Sequence, residues 1–221
     1  MTESRLLLEK GLSRLGSEYA PAPERLALLE IYCAELLKWR GRVNLVAKTA
    51  SVEEIVEKHF LDSLTLLPEL TGSCHLLDIG TGAGFPGLVC RTAMPTLGLT
   101  LVEPRQKRVN FLRHVVRTLG LTKEVAPLAV REERLEVDSP LTAEAFSHIT
   151  CRAVSDIGAF LELVVAFQGA TLLLMKGPKW EEELKAAAVI MEKNSYSLGD
   201  VREIILPFSK AERFILTILH T

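Results

Sequence analysis

A chain of 221 residues can hold one domain with a substantial core and a small appendage. Hydrophobic content of 48% and charged content of 24% describe an ordinary globular protein, with no apolar run near the roughly 20 residues of a membrane span. A net charge of −2 excludes a global basic field, so any nucleic-acid partner has to be held by local patches.

Leu6, Leu7, Leu8, Leu12 and Leu15 are spaced for an amphipathic helix over residues 3–15, ended by Pro21-Ala22-Pro23. A second helix is predicted from about Glu24 to Trp39, with Leu26, Leu29, Tyr32, Cys33, Leu36 and Leu37 on its apolar side. Ser51 and Glu54 read as a capping box. Helical periodicity then runs through His59 and Asp62 and stops near Pro68. Residues 1–70 thus form a helical extension, and residues 71–221 one compact unit.

From residue 74 strands and helices alternate. Strands are predicted at 75–79, 98–103, near 124–128, 146–151 and 170–175. Helices are predicted at 86–93, 105–119, 155–166 and 179–192. Two β-rich runs, 201–206 and 213–219, close the chain without a helix between them and suit an antiparallel hairpin. The fold class is α/β: an open sheet of about seven strands, mostly parallel and covered on both faces. Ligands of such sheets sit beyond the strands' C-terminal ends, at the switch point.

The stretch at that switch point is Leu76-Leu77-Asp78-Ile79-Gly80-Thr81-Gly82-Ala83-Gly84-Phe85-Pro86-Gly87, an apolar run ending in an acid and a glycine-rich turn. Gly82, Gly84 and Gly87 satisfy a dinucleotide fingerprint. The wider spacing of Asp78, Gly80, Gly82 and Gly84 is similar to the first motif of S-adenosylmethionine (SAM) methyltransferases. Asp78 favours SAM, which carries a sulfonium and an ammonium but no phosphate for a carboxylate to repel. Glu103, at the end of the second strand, can accept hydrogen bonds from ribose hydroxyls in either ligand.

Other candidates follow the strand ends. The charged turn Arg131-Glu132-Glu133-Arg134 follows the third strand, a position that commonly borders the adenine in SAM enzymes of such a fold, so Arg131 and Glu132 are candidates through backbone as much as side chain. Arg152, after the fourth strand, suits a carboxylate, a phosphate or a base edge. Cys151 lacks a preceding proline and reads as a buried cysteine rather than a nucleophile. His59 and Asp62 share a helix face. Residues 38–48 carry Lys38, Arg40, Arg42 and Lys48 without an acid, and the 105–119 helix carries Lys107, Arg108 and Arg113. These patches and Lys176, at the end of the fifth strand, suit phosphate contact. The four scattered cysteines form no zinc-type pair, so no metal is expected. Their pattern and an N-terminus without signal-peptide order lead us to expect a cytoplasmic protein.

The chain resembles the RsmG family, also called glucose-inhibited division protein B, which methylates guanine N7 in 16S rRNA. The resemblance is carried by Asn44-Leu45, by His59-x-Leu61-Asp62-Ser63-Leu64 and by Asp78 through Gly87. It continues in Lys107-Arg108-Val109-x-Phe111-Leu112, Arg152-Ala153 and Lys176-Gly177. It implies a Rossmann-like class I SAM-dependent methyltransferase fold, and SAM contacts at Gly80, Phe85, Arg131, Glu132 and Arg152. Phe85 stands where the family usually has leucine, and Glu103-Pro104 replaces the commoner Asp-Ser, keeping the carboxylate at the cofactor edge.

Guanine N7 already has a lone pair, so the implied chemistry is direct in-line displacement without a covalent intermediate. Arg152 is the leading candidate to hold the base, with His59 behind it. The substrate expected is 16S rRNA within the small ribosomal subunit or its precursor, and the protein is read as a monomer. Two other classes stay in view. An NAD-dependent oxidoreductase needs a proton-shuttling residue, for which His148 is the late candidate. A non-catalytic ribosome-binding protein on the same scaffold predicts loss of SAM binding.

Overall fold

The structure is a computed structural model that describes residues 1–152 and 156–220. Its centre is a seven-stranded sheet of order β3-β2-β1-β4-β5-β7-β6. The strands are β1 (His75–Ile79), β2 (Gly98–Val102), β3 (Leu128–Arg131), β4 (His148–Cys151), β5 (Thr171–Lys176), β6 (Tyr196–Ile205) and β7 (Glu212–His220). β1 to β5 pair in parallel, whereas β7 is antiparallel to both β5 and β6. This is the doubly wound α/β fold expected, with the expected C-terminal hairpin.

Strand alternation explains the two cores. Leu76, Leu99, Leu101, Leu173 and Met175 enter one buried cluster, while Leu77, Ile79, Leu172 and Leu174 enter the other. Each strand side is therefore apolar, and each is covered. The second face is closed by α7 (Ile157–Val164), α8 (Trp180–Ala186) and α9 (Ala188–Lys193). The predicted 179–192 helix thus breaks at Ala187 into two.

The first face takes α5 (Gly87–Ala93), α6 (Gln106–Thr118) and the N-terminal helices α1 (Glu3–Leu15) and α2 (Pro23–Trp39). α2 starts with proline at its first helical position, where a missing N–H costs nothing, and buries Leu26, Leu29, Tyr32, Cys33 and Leu36. Each such aliphatic side chain stabilises the packing by about 1.5–3 kcal/mol. Residues 1–70 therefore share one hydrophobic core with the sheet. Ion pairs reinforce the junction: the partly exposed Glu124 pairs with Arg25 of α2 and with the fully buried Arg91 of α5.

The helix after Ser51 has the predicted capping box, with Ser51 and Glu54 exchanging side-chain and backbone hydrogen bonds at 3.1 Å. It begins as α3 (Val52–Ile55), widens to a π-helix over Val56–Leu61, and resumes as α4 (Asp62–Leu64). π segments are rare and concentrate at functional sites. This one carries His59, and Asp62 follows it. β3 begins at Leu128 rather than near 124, because Pro127 has no N–H to give and offers only its carbonyl, to Leu99 N at 2.9 Å. Ala153 and the predicted start of the 155–166 helix lie outside the described residues.

Candidate active site

The glycine turn after β1 is held from beneath by Asp78. This carboxylate is fully buried, and its Oδ2 accepts hydrogen bonds from Thr81 Oγ1 at 2.7 Å and Gly87 N at 2.8 Å. Oδ1 is buried with no hydrogen-bond partner. Burial pushes the Asp78 carboxyl up to about 6, against the pull of those two hydrogen bonds. Gly80, Gly82 and Gly84 all have positive φ. Gly84 is also sterically required, because a Cβ there would collide with the Tyr32 hydroxyl and approach Leu88 Cβ to 2.9 Å. The Tyr32 hydroxyl itself donates to Ala83 O.

Glu103 stands across the turn, 2% exposed. Its Oε2 accepts from Gly82 N at 3.0 Å, and its Oε1 accepts from Arg105 N at 2.9 Å. Arg108 Nη1 is 3.5 Å from Oε2. Glu103 therefore braces the turn. Pro104 is exposed beside it.

A second group gathers around Phe85. The Phe85 ring is buried and lies nearly parallel to two others, Tyr32 at 6.0 Å and His59 at 4.8 Å between centroids. The Arg152 guanidinium carbon is 5.3 Å from the same ring centroid. Arg152 Nη1 donates to Lys58 O at 2.9 Å and to Asp62 Oδ2 at 3.3 Å, and Nη2 donates to His59 Nδ1 at 2.7 Å. Asp62 is also 3.3 Å from Arg213 Nε of β7. Burial raises the Asp62 carboxyl, and the two arginines draw it back down. Burial, helped by the charges of Arg152 and Lys58, lowers His59 to about 3. The sequence pairing of His59 with Asp62 is thus realised through Arg152, which touches both. Phe85 serves as their stacking platform, a role that no local spacing announces.

Two cavities open beside these groups. One, about 310 Å³, is lined by Gly80, Val102, Pro104, Glu133, Leu135 and Leu163. Glu133 Oε1 is buried there without a hydrogen-bond partner. The side chains of Arg131 and Glu132 turn elsewhere, to Glu144 at 3.1 Å and Arg113 at 3.8 Å. Glu133 was the less obvious member of a four-residue charged run, and only the end of β3 at Arg131 sets which acid faces inward. The other cavity, about 510 Å³, lies against Arg152, Asp62, Lys58, Met175, Lys176 and Arg213. Lys176 Nζ donates to Glu183 Oε2 at 2.7 Å.

Residues outside this region are equally plain. His148 starts β4, at the opposite end of the strands, where Ser147 lies 3.0 Å from its Nδ1. It cannot serve chemistry at the glycine turn, which removes the shuttle that an oxidoreductase would need from it. Cys151 is buried and its thiol is pushed up to about 12 by burial, in keeping with a packing role.

The family model described as rRNA small subunit methyltransferase G (GidB) matches residues 25–207. The chain belongs to this family. A curated relative from Desulfotalea psychrophila, named ribosomal RNA small subunit methyltransferase G, is 48% identical over 215 residues, covering 96% of each chain. One of the same name from Myxococcus xanthus is 42% identical over 188 residues, covering 84% of this chain and 83% of its own. Among solved structures, a SAM-dependent methyltransferase from Aquifex aeolicus superposes with a TM-score of 0.52 at 22% identity, over 75% of this chain and 93% of its own. That likeness speaks for the Rossmann-like methyltransferase fold. Membership agrees with the resemblance read from His59 to Leu64 and from Asp78 to Gly87.

Proposed function

We propose that this methyltransferase moves the methyl group of SAM to N7 of a guanine in 16S rRNA. One observation carries the choice of acceptor atom: neither the histidine nor the cysteine of the site is set up to work as a base or a nucleophile. His59 is held neutral with a pKa of about 3, and the Cys151 thiol is raised to about 12. Acceptors that must first lose a proton, or be activated by a thiolate, are poorly served. Guanine N7 has a lone pair ready, and needs only alignment with the methyl group.

The residues fit a SAM ligand. Gly80, Gly82, Gly84 and the Phe85 backbone give a turn that a nucleoside can approach closely, and Glu103 retains lone pairs for ribose hydroxyls. The 310 Å³ slot suits the adenine, with the orphaned Glu133 Oε1 available to its exocyclic amine. Pro104 lines it, and Arg131 and Glu132, which precede Glu133 in the chain, would reach the ligand through their backbone. The buried Asp78 Oδ1 lacks a partner and favours the cationic end of the ligand. Arg152 would hold and orient the base or the methionine carboxylate, with His59 positioning it. Lys107, Arg108, Arg113 and Lys176 would meet RNA phosphates. The substrate is then 16S rRNA in the small subunit or its precursor, the enzyme a cytoplasmic monomer, and residues 1–70 a helical extension of the methyltransferase unit 71–221.

The test is methyl transfer from labelled SAM to small-subunit particles from a strain lacking this modification, with N7-methylguanine located by borohydride–aniline strand scission. A single new scission site is expected. SAM binding without transfer to particles or naked 16S rRNA would overturn the acceptor.

A further inference from the structure

A second concavity lies away from Arg152. It has a volume of about 610 Å³ and is lined by Arg42, Asn44, Lys48, Arg105, Lys107 and Arg108, with no acid in its lining. Two separate stretches build it, the loop after α2 and the start of α6. They are pinned together, because Arg108 Nε donates to Asn44 O at 3.1 Å. A groove of five cations matches a run of phosphates far better than a protein surface.

Arg108 is the residue that faces both ways. Its Nη1 is 3.5 Å from Glu103 Oε2, the oxygen that accepts from Gly82 N, and a Cβ on Gly82 would lie 3.8 Å from that same Nη1. We propose that Arg108 couples this groove to the methyl-donor site, so that RNA backbone in the groove and SAM at the glycine turn raise each other's affinity. The inference rests on the donor assignment above.

Two effects share one sign. A phosphate gripping the guanidinium fixes Arg108, and with it the Glu103 carboxylate and the Gly82 turn, which SAM also needs ordered. The phosphate's charge also offsets Arg105 and Arg108, lowering their repulsion of a sulfonium. Linkage makes the gain reciprocal.

SAM affinity is measured by titration calorimetry on the full chain at low ionic strength, with and without saturating oligouridylate, which has no guanine to methylate. The wild-type protein is expected to bind SAM about five-fold or more tightly with the oligonucleotide. Arg108→Gln is expected to bring that ratio to one, and Arg108→Lys to restore part of it. Lys48→Gln is expected to weaken the oligonucleotide while leaving the ratio at saturation intact. A merely structural Arg108 would lower SAM affinity equally in both arms. A wild-type ratio of one, or oligonucleotide binding untouched by Lys48→Gln, overturns the coupling while leaving the donor assignment standing. Absence of SAM binding by the wild-type protein, with and without the oligonucleotide, overturns both.

Discussion

Arg152 Nη2 meets His59 Nδ1 at 2.7 Å, and this contact settles the protonation of the imidazole. A guanidinium can only donate, so Nδ1 is the acceptor and the ring's proton sits on Nε2. Adding a proton at Nδ1 would set two cations against each other. His59 should therefore show the Nε2–H tautomer in ¹⁵N-detected spectra and no titration between pH 5 and 8. Its folded pKa of about 3 lies below the unfolded value of 6.5. The unfolded chain binds the extra proton, so this stability is complete above pH 6.5 and is lost as pH falls toward 3. A His59 resonance titrating near 6.5 in the folded protein would refute the arrangement.

Asp78 has the opposite sign. Its carboxyl is raised from 3.8 to about 6, so the folded chain holds the proton longer and the contribution to stability declines as pH rises from 3.8 to 6. Asp78→Asn keeps an oxygen for Thr81 and Gly87 and removes the charge. In denaturant melts the variant should gain on the wild type as pH rises through this window.

The Arg152 fork should not survive replacement by lysine. Arg152→Lys keeps a charge but cannot reach Lys58 O, Asp62 and His59 together. We expect about a 10²-fold fall in single-turnover methyl transfer, the scale of a misaligned reacting pair, with the circular dichroism spectrum unchanged. Wild-type transfer by this variant would remove Arg152 from the site.

Arg91 is a stability prediction. Its side chain is fully buried, against Glu124 Oε2 at 3.1 Å and Ala126 O at 3.0 Å. Glu124→Ala strands that charge and should cost about 3–5 kcal/mol in urea unfolding. Arg25, more exposed and sharing the same acid, should cost less when replaced.

Much of this was legible before any coordinates. The capping box at Ser51, the leucine faces of α1 and α2, and the strand ends at Ile79 and Cys151 follow from short-range pattern, which is what backbone periodicity reports. The π segment was hidden, because the buried Val56, Phe60 and Leu64 recur every four residues, a spacing that an α-helix also satisfies. The stack of Tyr32, Phe85 and His59 was hidden too, since it joins three elements that only the folded sheet brings together. Arg131 and Glu132 are expected at the adenine through backbone as much as side chain, and their side chains pair with Glu144 and Arg113, which leaves the backbone part of that expectation.

The C-terminal hairpin has a consequence for the order in which the protein becomes competent. Glu57, in the π segment, accepts from Phe208 N and Ser209 N, contacts spanning 151 and 152 residues, and Arg213 reaches Asp62. The wall that carries Arg152's partners is therefore completed by residues synthesised well after the π segment. A nascent chain halted before Phe208 would hold the glycine turn but leave the Glu57 carboxylate buried and unmatched. Completion of this wall thus waits for the hairpin to leave the ribosome, and chains halted before Phe208 should emerge inactive.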